Sequence, residues 1–170
     1  WETPGNWSTG ALPTSNDNAL LVSGFAVTHS TGADTVEALI INSANSLNIS
    51  GGSLVVAGAT TLGGALTVSG TGAATLYGAL NGGTTGQINI SGGTLTANSV
   101  LTTNALNLTG GTLNGAGSLT VGNAFTQSSG TINTTGNLSI TQAAGNLVIA
   151  NAINAANIAL AATAGNINVQ

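Results

Sequence analysis

Lysine and arginine are missing from this 170-residue chain, as are cysteine and methionine. Without Lys or Arg nothing neutralises phosphates, the source of most nucleic-acid affinity, and nothing holds an anionic membrane surface. Trypsin has no site in the chain. The absence of Cys excludes a disulfide framework and a thiolate metal site. No segment approaches the roughly 18 uninterrupted apolar residues of a membrane-spanning helix, so membrane insertion is excluded as well.

Acidic residues are nearly missing too. Glu2, Asp17, Asp34 and Glu37 are the whole set, and from Ala38 to Gln170 the only ionisable side chain is Tyr77. An average domain is about 25% charged, whereas this chain is 2% charged. Disorder goes with high net charge and few aliphatics, but Leu, Ile, Val and Ala abound here. The chain therefore has a core to bury and keeps its surface soluble with Asn, Thr, Ser and Gly. Starting at Trp1, with no initiator Met or signal peptide, it reads as a mature or excised segment.

What is present is a repeat. Leu47-Asn-Ile-Ser-Gly-Gly-Ser-Leu54 recurs as Ile88-Asn-Ile-Ser-Gly-Gly-Thr-Leu95 and Leu106-Asn-Leu-Thr-Gly-Gly-Thr-Leu113. Leu66-Thr-Val-Ser-Gly, Phe125-Thr-Gln-Ser-Ser-Gly-Thr-Ile132 and Leu147-Val-Ile-Ala-Asn-Ala-Ile153 are weaker copies. The phrases start at 47, 66, 88, 106, 125, 147 and 167, in steps of 19, 22, 18, 19, 22 and 20. Each period holds three strand-like pieces. The first alternates apolar-polar-apolar, as in Leu106-Asn107-Leu108, the period of a half-buried strand. The second centres on Leu54, Leu76, Leu95, Leu113, Ile132 and Ile153. The third brings Leu62, Leu80, Leu101, Leu119, Leu138 and Ile158, with Val121, Ile140 and Leu160 two residues on from the last copies.

Gly-Gly, Gly-Asn or small polar residues separate the pieces, where a sharp turn is easiest. Three short strands joined by tight corners predict an all-β parallel β-helix (β-solenoid), about 19 residues per coil, with each strand paired to its counterpart one coil on. Gly at 26 positions and dense Thr, Asn and Val work against helices. A silk-like or amyloid-like aggregate is the rival, and the irregular steps with preserved three-strand order favour the coil.

The two ends differ. Residues 1–45 are expected to be a capping or interface segment leading into the first coils, and residues 46–170 the regular coils, uncapped at the C-terminus. Trp1, Trp7 and Phe25 are the cap or interface candidates at one end, and Ile167 and Val169 at the other. An open solenoid end exposes core and unpaired strand edges, which is why a cap is expected.

The copies carrying Gly-x-Leu-x-Leu/Ile, Thr-Gly-Gly-Thr-Leu and Gly-Asn-Leu (Gly136-Asn-Leu138, Gly145-Asn-Leu147) resemble passenger domains of filamentous-haemagglutinin-type adhesins and autotransporters. Trp1 to Asp17, with Gly5-Asn6-Trp7-Ser8, Pro13 and Asn16-Asp17, resembles the opening of autotransporter passenger repeats. The resemblance spans nearly the whole chain as a pattern. It implies a right-handed β-helix secreted across a Gram-negative outer membrane, displayed as a rod and often adhesive.

Parallel β-helices also serve polysaccharide-active enzymes, which need carboxylates, a cation or a metal. Asp17, Asp34, Glu37 and His29 are the only candidates, and a structural His beside loop acids is the preferred reading over a metal site. No enzymatic activity, cofactor or metal is expected. Calcium-binding solenoids need Gly-Gly-x-Gly-x-Asp repeats, and these Gly-Gly corners carry no Asp.

Asn48, Asn89, Asn107 and Asn137 lie in Asn-x-Ser/Thr sequons and are candidate glycosylation sites, as Asn6 and Asn133 could be. An Asn-, Thr- and Ser-rich chain also forms sequons by chance, and stacked Asn side chains can bond to one another without sugar. Outward Ser53, Thr75, Thr94, Thr112 and Thr131 are expected to form one column. Ice binding would want paired Thr-x-Thr columns, and only Thr94-Leu-Thr96 offers a pair, so β-propensity is the better account.

The expected function is an extracellular structural or adhesive rod on a bacterial surface. Its partners would be a continuation of a longer chain, a second copy stacked end to end as a filament, or surface glycans.

Overall fold

A computed structural model describes residues 1–170. The chain is a parallel β-solenoid of about eight turns, with one short 3-10 turn at Pro4–Asn6 as its only helix. No helix is long and apolar enough to cross a membrane.

Three faces run along the stack. The first is built from Ala26–His29, Ser46–Ile49, Ala65–Val68 and Gln87–Ile90, then the second halves of Leu101–Leu108 and Leu119–Gln127. Leu147–Ile149 and Ile167–Val169 continue it as a separate parallel pair. The second face comprises Ala33–Val36, Ser53–Val56, Ala73–Leu76, Thr94–Ala97, Thr112–Gly115, Thr131–Thr134 and Ile153–Asn154. The third comprises Asn18–Leu21, Ala38–Ile41, Thr60–Leu62, Leu80–Asn81, the first halves of the two long strands, Leu138–Gln142 and Ile158–Ala162. Each turn thus adds three strands, every one paired in parallel with its counterpart a turn away. The ladders begin before residue 46, since Asn18–Leu21 already pairs with Ala38–Ile41 and Ala26–His29 with Ser46–Ile49.

Alternation decides what is buried. Ser46–Ile49 and Ser53–Val56 both bury every second residue, because successive side chains leave a strand on opposite sides. The inward set joins into one core of 32 buried residues. On the first face Leu47, Leu66, Ile88, Leu106 and Phe125 stand in one column. Stacked aliphatic columns bury a face that no single coil could bury alone.

Column membership departs from the sequence expectation at three places. Leu54 and Leu95 are bridged by Ala74, while Leu76 pairs with Val56 and Ala97. Leu80 is preceded by Thr60, and Leu62 instead follows Ile41 in the neighbouring column. Thr75 pairs with Val55 and Thr96, so Ala73 fills the outward column of Ser53, Thr94, Thr112 and Thr131. Each error is a shift of two residues, which leaves a side chain on the same face and so cannot be detected from alternation. At Ala74 the cause is visible. The corner Ser69–Gly72 is one residue longer than Ser50–Gly52, and the pattern favours the larger Leu76 over Ala74.

The corner between the first and second faces carries a column of left-handed glycines: Gly52, Gly93, Gly111 and Gly130, with φ of 64°, 63°, 65° and 79°. Gly111 shows the reason. A Cβ there would lie 2.6 Å from the carbonyl oxygens of both Gly92 and Gly93 in the preceding turn, so the close spacing of turns and the positive φ both require glycine.

Candidate functional site

Two regions hold the residues singled out by sequence: the outward columns and the N-terminal end.

Asn48, Asn89 and Asn107 share one outward column of the first face with Thr28, Thr67 and Thr126. Asn48 and Asn89 are half-buried and Asn107 is exposed. The Asn48 side-chain carbonyl accepts from the Ser69 hydroxyl at 2.9 Å. Asn137 lies apart, exposed at the corner before Leu138–Gln142, and accepts from the Asn157 amide at 2.8 Å. Asn133 accepts from Asn154 at 2.8 Å in the same way. Like side chains one turn apart therefore bond along the axis, as stacked amide ladders do. On the second face the outward column of Ser53, Thr94, Thr112 and Thr131 runs beside one reading Val55, Thr75, Thr96, Asn114 and Asn133. Thr94 and Thr96 are the one Thr-x-Thr pair in it.

The N-terminal end is covered. Trp1 is buried and belongs to the core. Its ring lies edge-on to Trp7, with centroids 4.9 Å apart, and edge-on to His29 at 5.8 Å. The Trp7 indole N–H donates to the Trp1 carbonyl at 2.9 Å, and the Trp1 nitrogen donates to the Thr28 carbonyl at 2.7 Å. Glu2 performs a task that sequence reading did not assign to it. In later turns the first corner amide donates to the turn before: Ser50 to His29, Ser69 to Ile49, Ser91 to Val68 and Thr109 to Ile90. Ser30 has no earlier turn beneath it, and the Glu2 carboxylate accepts from the Ser30 N–H at 2.5 Å and the Thr31 N–H at 2.9 Å. Burial opposes the charge on Glu2, yet these two backbone donors hold its carboxyl down to about 2.

His29 is fully buried. It stands in the inward column of Ile49, Val68, Ile90, Leu108 and Gln127. Asp34 stands in the column of Leu54. The pair meets across the corner, His29 Nε2 to Asp34 Oδ2 at 2.9 Å, while Nδ1 faces the Gly51 carbonyl at 3.0 Å. A histidine in an aliphatic column was legible from its position two residues after Val27, had the first turn been registered.

The remaining candidates do not join this cluster. Asp17 caps a turn by accepting from Thr14 Oγ1 at 2.7 Å and the Thr14 N–H at 2.9 Å, and these bonds lower its pKa. No three of His, Cys, Asp and Glu gather where one ion could bind. Phe25 is 61% exposed and stands outside the tryptophan cluster. At the other end Ile167 and Val169 are 44% and 69% exposed. Val169 borders a depression lined by Ile149, Ile153, Ile158 and Leu160.

No known family, curated protein or solved structure matches the chain. The likeness to adhesin and autotransporter passengers therefore remains one of repeat pattern alone, and what stands is the parallel β-solenoid.

Proposed function

We propose that this chain is a stiff segment of an extracellular bacterial rod, structural or adhesive in role and without enzymatic activity. The observation that carries this reading is the surface of the stack. From Ala38 onward its side chains carry no charge, and its outward columns are mostly Ser, Thr, Asn and small residues, some of them bonded from turn to turn. About eight turns at roughly 4.8 Å each make a shaft about 40 Å long. Such a surface resists trypsin outright and is insensitive to ionic strength, both useful outside a cell.

A shaft is favoured over a head-to-tail filament because the N-terminal end is occupied. A second copy stacking there would have to displace Trp1 and the Glu2 carboxylate from Thr28, Ser30 and Thr31. Glycans, on the sequons or as ligands, are partners compatible with the exposed Asn107 and Asn137.

Surface labelling tests the reading. Antibodies to the folded chain should stain intact, unpermeabilised source cells, and staining should survive trypsin treatment of those cells. Staining that appears only after lysis would refute it.

A further inference from the structure

The hydrogen-bond geometry of His29 sets a requirement for a proton. The Gly51 carbonyl can only accept, so Nδ1, 3.0 Å away, must carry a hydrogen. With Nδ1 protonated, a neutral imidazole has only a lone pair at Nε2. That lone pair would face Asp34 Oδ2 at 2.9 Å, and an ionised carboxylate is also only an acceptor. The contact is satisfied when one further proton lies between them.

We propose that buried His29 and partly exposed Asp34 form a proton-holding latch, imidazolium against carboxylate, that couples docking of the N-terminal segment to pH. The segment rests directly on the latch. Trp1 packs edge-on against the His29 ring, and Trp7 is bonded to Trp1. Loss of the proton leaves acceptor against acceptor at a buried ring whose partner carboxylate is only partly exposed, a penalty relieved by opening the end. The docked state thus holds one more proton than the open one, so docking weakens as rising pH removes that proton. The other charged groups held beside His29 are the Trp1 amino group, on the Thr28 carbonyl, and Glu2, on the Ser30 and Thr31 amides, both on the segment itself, while the Gly51 corner contributes only backbone. Glu2 acts with the opposite sign, since its carboxylate must be ionised to accept from Ser30 and Thr31. The end is therefore closed in a window bounded by Glu2 protonation on the acid side and by the latch on the alkaline side. Opening uncovers the first strand edge, a template for pairing.

The full 170-residue chain tests this without labelling ambiguity, because His29 is its single histidine and Trp1 and Trp7 its only tryptophans. Ring 15N NMR from pH 5 to 10 reads the proton, and acrylamide quenching of tryptophan reads the docked end. Both ring nitrogens should be protonated in the docked state, and quenching should rise severalfold with the midpoint at which the ring loses its proton. Asp34→Asn should flatten the quenching curve, because its amide can donate to the Nε2 lone pair and no extra proton is needed. The Trp1 amino group is the same in both proteins, so the difference between them isolates the latch. The proposal is overturned by an Nε2 that is unprotonated throughout, by ring titration without a change in quenching, or by an equal rise in the Asp34→Asn chain.

Discussion

Replacing Gly111 by Ala should cost about 2–4 kcal/mol of stability, and the figure follows from two separable terms. The first is conformational. At φ 65° an alanine pays roughly 1–2 kcal/mol for the left-handed region, less about 0.4–1 kcal/mol regained because the unfolded chain is stiffer. The second is steric. The added methyl would sit 2.6 Å from the Gly92 and Gly93 oxygens and 2.7 Å from the Gly92 carbonyl carbon. All three are backbone, so relief requires one turn to move off another, an overpacking cost of about 1–3 kcal/mol. Gly83 isolates the first term. Its φ is 51° and nothing lies within 4 Å of an added Cβ, so Gly83→Ala should cost under about 1.6 kcal/mol. Guanidinium unfolding followed by far-UV circular dichroism compares the two through the midpoint at constant slope. A reduced slope for Gly111→Ala would mean that the stack had split into two units at that corner. If the two variants agree within about 0.5 kcal/mol, the spacing of turns does not demand glycine and the reasoning fails.

Three further outcomes are expected. Thr60 has a buried hydroxyl with no partner, so Thr60→Val should stabilise the chain by about 1 kcal/mol in the same assay, whereas the Thr103 hydroxyl donates to the Gly86 carbonyl at 2.9 Å and Thr103→Val should destabilise it by about as much. Leu95→Ala removes a fully buried side chain from the middle of the stack and should cost about 2–5 kcal/mol, with a smaller loss arguing that neighbouring turns collapse onto the gap. Glu2 is depressed from 4.5 to about 2, so its contribution to docking is complete above pH 4.5 and disappears as pH falls through about 2; tryptophan quenching should rise over that interval, and Glu2→Gln should show elevated quenching already at pH 6.

The sequence by itself determined the period, the three-strand turn, the parallel stacking and the inward aliphatics, because these depend on alternation and on glycine at corners. Both signals are local. It also marked the Trp-bearing segment as different from the coils. Tertiary structure alone decided which residues share a column. Ala74 rather than Leu76 bridges Leu54 and Leu95, since a two-residue slip preserves the face and only the length of the preceding corner distinguishes the registers. It alone placed His29 and Asp34 in inward columns, where sequence showed a histidine near loop acids and no more. It alone revealed Glu2 as the stand-in for a missing turn, because that role depends on where the Ser30 and Thr31 amides point once nothing is stacked beneath them.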